Sequence, residues 1–307
     1  MKNLTNLNID FMGRRRLAYA FSALTLLISI ISLAVNGLAL GLDFTGGTLV
    51  EVHYATAPTL DSVRQALQGG GFQDVSVQTF GAANEVLIRL QQAFDASVGQ
   101  QVTSLLTQDG TQVELVRAEF VGAQVGDQLR DQSGLGMLLA MGGVILYVAF
   151  RFQYKFALGA LLSLGHDVIV VLGVFSLFQL EFDLTVLAAV LAVIGYSLND
   201  TIVVYDRIRE NIRKSRIDDM PQIFNEAINQ TLARTLATSG TTMLVLVALF
   251  LLGGDLIHNF SIALLVGIGL GTFSSIYVAA ALLIQLNLQR KDLIAEKKED
   301  PEAEELP

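Results

Sequence analysis

The residue whose type and setting most clearly promise chemistry is Asp200, an acid inside the apolar run LAVIGYSLNDTIVVYDRIREN that begins at Leu191. A carboxylate held in hydrocarbon is costly unless it is paired, protonated or open to a polar cavity, so such residues mark ion or proton pathways. On a helix, Tyr196 and Ser197 precede Asp200 by one turn and share its face, with Asn199 beside it. A second polar group is Arg234, predicted to open another apolar helix, with Thr238 one turn on and Ser239, Thr241 and Thr242 after it. A bundle that turned both faces inward would gather a carboxylate, a guanidinium and several hydroxyls into one seam. Such a seam suits an acid that loads and releases a proton as its surroundings alternate. Two other readings of Asp200 stay open. It could form a static ion pair that stabilises the bundle, or it could be hydrated at the interface, because Asp206 and Arg207 begin only about 9 Å farther along a helix.

His166 and Asp167 interrupt a different apolar stretch near its middle. Adjacent helical residues project about 100° apart, so only one of them is expected to face any common spot, either bonding a neighbouring helix or joining a proton relay. His53, alone near a predicted strand end, reads as a surface or hydrogen-bonded residue. The three histidines, His53, His166 and His258, fall in separate predicted elements, and there are no cysteines, so no metal site and no thiol chemistry are expected. No GxxxxGK[ST] stretch occurs, which argues against a phosphate-loop nucleotide engine. No cofactor is expected, and the residues do not suggest an enzyme.

The elements that must position these groups follow from hydropathy. Of 307 residues, 52% are hydrophobic and 16% charged, against about 25% charged in an ordinary soluble globule. Six stretches reach the roughly 20 apolar residues that a bilayer core requires: 17–36, 134–150, 156–178, 184–205, 236–253 and 261–286. The first follows Arg14, Arg15 and Arg16, but its length and the poor cleavage site near Asn36 favour a retained anchor over a signal peptide. Basic residues cluster in the N-terminal segment 1–16, at Arg151 and Lys155, in a predicted loop 206–235 and in the tail 287–307. Only Arg64, Arg89, Arg117 and Arg130 lie elsewhere, so both termini are expected in the cytoplasm. The tail, ending KKEDPEAEELP, reads as disordered. The net charge of −9 argues against a nucleic-acid partner.

Residues 37–132 form the one sizeable segment on the other side, an expected external domain. Val50, Val52 and Tyr54 alternate as a strand, and Leu60, Val63 and Leu67 recur at helical spacing. Gly69–Gly71 breaks that helix. Val75 and Val77, then Val86, Ile88 and Leu90, suggest two strands joined by a hairpin at Gly81–Asn84. Phe94, Val98, Val102 and Leu105 suit a second helix, and Val113 and Leu115 a last strand. The order βαββαβ is that of a ferredoxin-like unit. GLDFTGG, residues 41–47, joins the first apolar helix to the first strand, where its glycines suit a tight turn. In the last apolar helix, Gly267, Gly271 and Ser275 recur every fourth residue, with Gly269 between, a pattern for close helix packing.

Several of these stretches occur together in a recognisable order: GLDFTGG, VGAQVGDQLR from Val121, LGHDV from Leu164, GYSLNDTIVVYDRIREN from Gly195 and RTLATSG from Arg234. In this the chain resembles the SecF branch of the SecD/SecF protein-export family, of the resistance-nodulation-division (RND) superfamily. The resemblance implies an α-helical polytopic membrane protein, a six-helix RND-type half-bundle with one external α+β domain, completed by a SecD partner. It implies work beside the SecYEG channel on unfolded preproteins in a bacterial inner membrane, driven by the proton-motive force or, alternatively, by sodium. It assigns coupling to Asp200 and Arg234 and makes Asp43, Phe44, Thr45, Gly46 and Gly47 a family motif, while Tyr196, Ser197, Asn199, Thr238, His166 and Asp167 are expected as a supporting polar seam from their types and positions alone. The rivals are half of a small-molecule exporter and a structural subunit that conducts nothing.

Overall fold

In the structure, a computed structural model, residues 8–73, 75–90, 97–107, 110–215, 219–254 and 257–293 are described. Phe94 and residues 294–307 of the expected tail lie outside them. The chain begins with α1 (Arg15–Val35), a two-residue β1 (Ala39–Leu40) and a single turn α2 (Leu42–Thr45). It continues through β2 (Gly47–Tyr54), α3 (Leu60–Gly69), β3 (Ser76–Phe80), β4 (Ala82–Leu90), α4 (Val98–Leu106) and β5 (Val113–Val121). Then come α5 (Ala123–Arg151), α6 (Tyr154–Phe178), a short β6 (Glu181–Phe182), α7 (Leu184–Lys214), α8 (Met220–Leu252) and α9 (His258–Ser274). The last of these passes through a π-helical turn, Ser275–Ala279, into α10 (Ala280–Gln285). Counting α9 and α10 together, the six long helices are each apolar enough to cross a membrane.

Strands β2 to β5 form one antiparallel sheet in the order β3-β4-β2-β5, and with α3 and α4 they make the expected ferredoxin-like unit. Alternation in sequence becomes one buried face: Val50, Val52, Val77, Val86, Ile88 and Leu90 pack against Val63, Leu67, Val98 and Val102 of the two helices. Two details differ from expectation. The hairpin closes at Gly81 alone, φ +69°, with Phe80 opposite Ala82, so the strands run on through the predicted turn. On α4 it is Leu106 that is buried, with Leu105 only partly covered. The other face of the sheet is also used, because Leu49 and Leu87 form a small core with Leu42, Phe80 and Val121.

The membrane-capable helices differ from the sequence reading in one consequential way. The segment expected as a loop, 206–235, is mostly helix: α7 continues to Lys214 and α8 already begins at Met220. Arg234 therefore does not open its helix but sits well inside α8. Charges end a hydropathy run without ending a helix, and here both extensions keep an apolar stripe. Val204, Tyr205, Ile208 and Ile212 of α7 are buried with Ile223, Phe224, Ala227 and Ile228 of α8. Asp219 caps the start of α8 by accepting from the Gln222 amide. The N-terminal segment docks on the same extension: Asn229 bonds both the amide and the carbonyl of Ile9, at 2.9 and 2.8 Å. Asn225 likewise accepts from the Met12 amide and donates to Asp10.

Residues 287–293 correct the expectation of a wholly disordered tail, since Leu288 and Leu293 are buried and Lys155 pairs with Asp292 at 2.6 Å. The small residues of α9 do what their spacing suggests. A Cβ at Gly267 would collide with Val193 of α7, and one at Gly271 would sit 3.0 Å from the Ser197 Cβ.

The stretch 41–47 is more than a turn. Asp43 Oδ2 accepts from the Leu184 amide at 3.0 Å, so it caps α7 beside the helix's own cap, Asp183, which accepts from Val186 at 2.8 Å. Phe44 stacks on Phe182 with centroids 6.0 Å apart. Thr45 Oγ1 donates to the Gly41 carbonyl at 3.1 Å, closing the turn on itself. Gly46, φ +66°, lies so close to α5 that an added Cβ would be 2.7 Å from the Ala123 Cα; from the α5 side, a Cβ at Gly126 would be 2.8 Å from the Gly46 nitrogen. The sheet adds its own tie, Arg89 to Glu181 at 2.6 Å, with Arg89 also donating to the Leu40 carbonyl at 3.0 Å. One joint thus fastens the sheet unit to α5, to the α6–α7 turn and to the first residues of α7.

Three outcomes follow from this joint, each read as the thermal midpoint of the full chain in detergent. Asp43→Ala should cost about 1 kcal/mol, while Asp43→Asn, which keeps an acceptor oxygen, should cost little; equal losses would remove the cap. Gly126→Ala should cost about 1–3 kcal/mol, because the clash is with backbone that cannot swing away. Burial outweighs Arg89 and raises the pKa of Glu181, so the folded form holds that proton more tightly than the unfolded chain. The stability contributed is complete below the ordinary glutamate value and is lost as pH rises through the raised one. Glu181→Gln should match the wild type in acid and be the more stable of the two at neutral pH; the reverse order would contradict the assignment.

Candidate functional site

Two carboxylates are buried among the membrane-capable helices, each 2% exposed or less: Asp167 on α6 and Asp200 on α7. Asp167 is fully engaged. Its Oδ2 accepts from Ser197 of α7 at 2.6 Å and from Ser274 of α9 at 2.7 Å, and its Oδ1 lies 2.9 Å from His166 Nδ1. The expectation that His166 and Asp167 could not share a spot is therefore corrected. Their Cα–Cβ bonds do diverge, but both side chains are long enough to fold back and meet. His166 Nε2 is buried with no partner among the described residues.

Asp200 is more sparsely held. Ser239 of α8 donates to its Oδ2 at 3.3 Å, and the same hydroxyl is 2.8 Å from Thr272 Oγ1 of α9. The two acids are linked through α7 itself, because Ser197, which serves Asp167, lies one turn before Asp200. Thr201 extends the polar line to Ser275 at 2.8 Å, and Ser275 donates to the Ser197 carbonyl at 3.3 Å. The hydroxyls thus form two separate clusters, one on each carboxylate, with Thr201 and Ser275 as a third pair anchored on the Ser197 carbonyl, inside a bundle core that is otherwise apolar.

The structure brings together only part of the expected seam. Ser197, Asp200, His166 and Asp167 are buried in it. Tyr196 is partly buried, and its hydroxyl has no partner among the described residues. Arg234, Thr238 and Asn199 are exposed. Thr238 spends its hydroxyl on its own helix, donating to the Arg234 and Thr235 carbonyls, and no ion pair joins Arg234 to Asp200 among the described residues. The guanidinium that spacing placed opposite the acid therefore lies on the outward face of α8. Asp43, Phe44, Thr45, Gly46 and Gly47 lie in the joint under the sheet, apart from the seam. Thr272 joins the Asp200 cluster, Ser274 the Asp167 cluster, and Thr201 pairs with Ser275, and none of the four was singled out as a polar group. Their one signal was position, since Ser275 continues the small-residue spacing of Gly267 and Gly271 along the helix facing α7.

His53 stands near Glu85, 3.8 Å away, and within 3.3 Å of Asn84 on the sheet, a hydrogen-bonded surface position. No group of three or more His, Asp or Glu side chains able to hold a metal ion occurs among the described residues.

Comparison with known proteins joins these features. Residues 101–289 match the family described as protein export membrane protein SecD/SecF, C-terminal, and residues 31–58 match the SecD/SecF GG motif. The chain is 53% identical over 294 residues to the protein translocase subunit SecF of Pseudomonas aeruginosa, covering 95% of this chain and 96% of that one. It is 48% identical to the SecF subunit of Vibrio alginolyticus, with 97% of each chain covered. Among solved structures it is similar to SecDF, a translocon-associated membrane protein from Thermus, with a TM-score of 0.85 and 34% identity over 92% of this chain. It spans only 39% of that longer chain. A second SecDF structure, in a super-membrane-facing form, is matched with a TM-score of 0.69. With both stretches matching in order, and with relatives of the same length at about half identity, the chain belongs to the SecD/SecF family of protein-export membrane proteins.

Proposed function

We propose that the chain is the SecF-type half of a two-bundle translocation auxiliary, in which proton transfer at Asp200 drives movement of the sheet domain on an unfolded preprotein. The observation that carries this reading is a buried carboxylate, Asp200, held by one shared hydroxyl, Ser239, one helical turn from the Ser197 that serves a second buried carboxylate, Asp167. Ser239 can donate to Asp200 while accepting from Thr272, or turn its proton to Thr272 and release Asp200. The acid thus has two hydrogen-bonding states, one suited to the carboxylate and one to the acid form. Alternation of the wetted side between these states would carry the proton across.

Arg234, exposed on α8 within electrostatic reach of Asp200 but in no ion pair among the described residues, fits a site completed by a second chain. A SecD bundle is the partner proposed, with its carboxylates opposite Arg234, and the SecYEG channel with its associated components as the setting. The joint at 41–47 gives the cycle a mechanical outlet, because the residue that caps α7 also starts the sheet domain. Basic residues at the α1 start, the α5–α6 and α7–α8 turns and the tail support a bacterial inner membrane with both termini in the cytoplasm and the sheet domain outside. The proposed cycle draws on the ion gradient alone, without catalysis, cofactor or nucleic acid, and sodium is the alternative ion.

Arg234, with no ion pair among the described residues, also favours a second reading, a subunit that conducts nothing and uses this face only to hold SecD. Two experiments separate them. Asp200→Asn should abolish gradient-dependent stimulation of secretion while the complex still co-purifies, and ion flux through the reconstituted complex should fall under a proton gradient but not under a sodium gradient. Normal secretion by Asp200→Asn would overturn the relay. Arg234→Ala should likewise lose stimulation with SecD still bound; loss of SecD on co-purification would instead support the structural reading.

A further inference from the structure

At the end of the bundle opposite the sheet domain, the last residue of α5 and the extension of α7 enclose a cleft of about 270 Å³, lined by Arg151, Asp206, Arg209, Glu210, Arg213 and Lys214. Four cations and two acids face it, and the acids are already taken. Both oxygens of Asp206 lie 3.3 Å from Arg151 Nη2. Glu210 is shared between Lys214 at 2.5 Å and Arg207 at 2.8 Å. That leaves Arg209 and Arg213 without a carboxylate among the described residues, and the Nε of Arg209 is buried with no acceptor. A buried guanidinium N–H without an acceptor is a standing cost that a bound anion removes.

The depth of the cleft argues for the kind of anion. Arg151 is flanked by large aromatic side chains that stay largely open among the described residues: Tyr147, Phe150 and Tyr154 are 52%, 84% and 73% exposed. Aromatic side chains with this exposure, at the end of a membrane-capable helix, collect at the level of lipid headgroups, and basic clefts at helix ends on that level take up anionic headgroups. A guanidinium pair offers the planar donors that phosphate oxygens match. We propose that this cleft binds the phosphate of an anionic phospholipid, with Arg209 and Arg213 as the principal donors and Arg151 and Lys214 completing the charge. The bound headgroup would tie the end of α5 to α7, and α5 has otherwise little cover, with 6% of its membrane-spanning window buried.

The test is native mass spectrometry and thermal unfolding of the full chain in detergent, with phosphatidylglycerol, phosphatidylcholine or inorganic phosphate added separately. The wild type should retain phosphatidylglycerol preferentially and be stabilised by it. The double variant Arg209→Gln/Arg213→Gln should weaken retention by about tenfold, the equivalent of one lost charged hydrogen bond, with phosphatidylcholine unaffected. If the double variant does not fold, Arg213→Gln alone, at the exposed end of α7, carries the same comparison with a smaller loss. Undiminished phosphatidylglycerol on the folded variant would overturn the site. Equal stabilisation by inorganic phosphate at the same concentration would overturn the lipid as its source, leaving a free-anion site.

Discussion

Everything inside the bundle answers to one requirement, that a polar group in hydrocarbon must find its partner within the protein. Asp167 is the plainest case. With 1% of its surface exposed, it takes two serine hydroxyls and a histidine from three positions on α6, α7 and α9. Those three helices can therefore neither rotate nor slide independently without stranding a charge or a hydroxyl. The close approach of α9 to α7 at Gly267 and Gly271 serves the same end, because it brings Ser274 and Ser275 within reach of α6 and α7. Asp200 lives under the same rule with fewer partners, and a lightly held acid is the kind that can change state without dismantling the bundle.

Helix α7 is the common member. It supplies Asp200, the Ser197 that serves Asp167, the Thr201 that reaches Ser275, and the Tyr205 hydroxyl that donates to the Ala279 carbonyl at 3.1 Å. At its other end its first amides are held by Asp43 and Asp183, one of which belongs to the joint under the sheet. A shift of α7 along its axis is therefore felt at the seam and at the sheet together. The small core of Leu42, Leu49, Leu87, Phe80 and Val121 stiffens that connection from the sheet side.

Much of this was legible in the sequence because the signals were periodic. Alternation at Val50, Val52 and Tyr54 and again at Val86, Ile88 and Leu90 revealed the sheet face, and apolar runs of membrane length revealed the six helices. What escaped was whatever depended on continuation or on reach. Arg234 sits at the edge of an apolar run, yet its helix continues for more than three turns before it, because Ile223, Phe224, Ala227 and Ile228 keep an apolar stripe that bulk hydropathy dilutes. His166 and Asp167 were separated by projection angle, which describes Cα–Cβ directions and not where a flexible polar tip can arrive. Ser274 and Ser275 carried no charge, and Ser275 stood out only as a small residue in step with Gly267 and Gly271, so their polar partners had no local trace. The joint at 41–47 was read as a turn because capping a helix some 140 residues away has no local trace.

Two adjacent serines find two different helices at the start of the wide turn Ser275–Ala279, because neighbouring helical positions project about 100° apart. An α-helix with one extra residue in a turn advances the following side chains by a whole step around the axis. Ser274, before the insertion, reaches Asp167, while Ser275, at its start, reaches Thr201. Within the widened turn the Tyr205 hydroxyl donates to the Ala279 carbonyl. The last helix is in effect a screw with a phase slip built into it. Thr272, Ser274 and Ser275 all come before the slip, so the inserted residue turns α10, with Ala280, Ala281 and Leu283 buried, without disturbing the polar groups ahead of it.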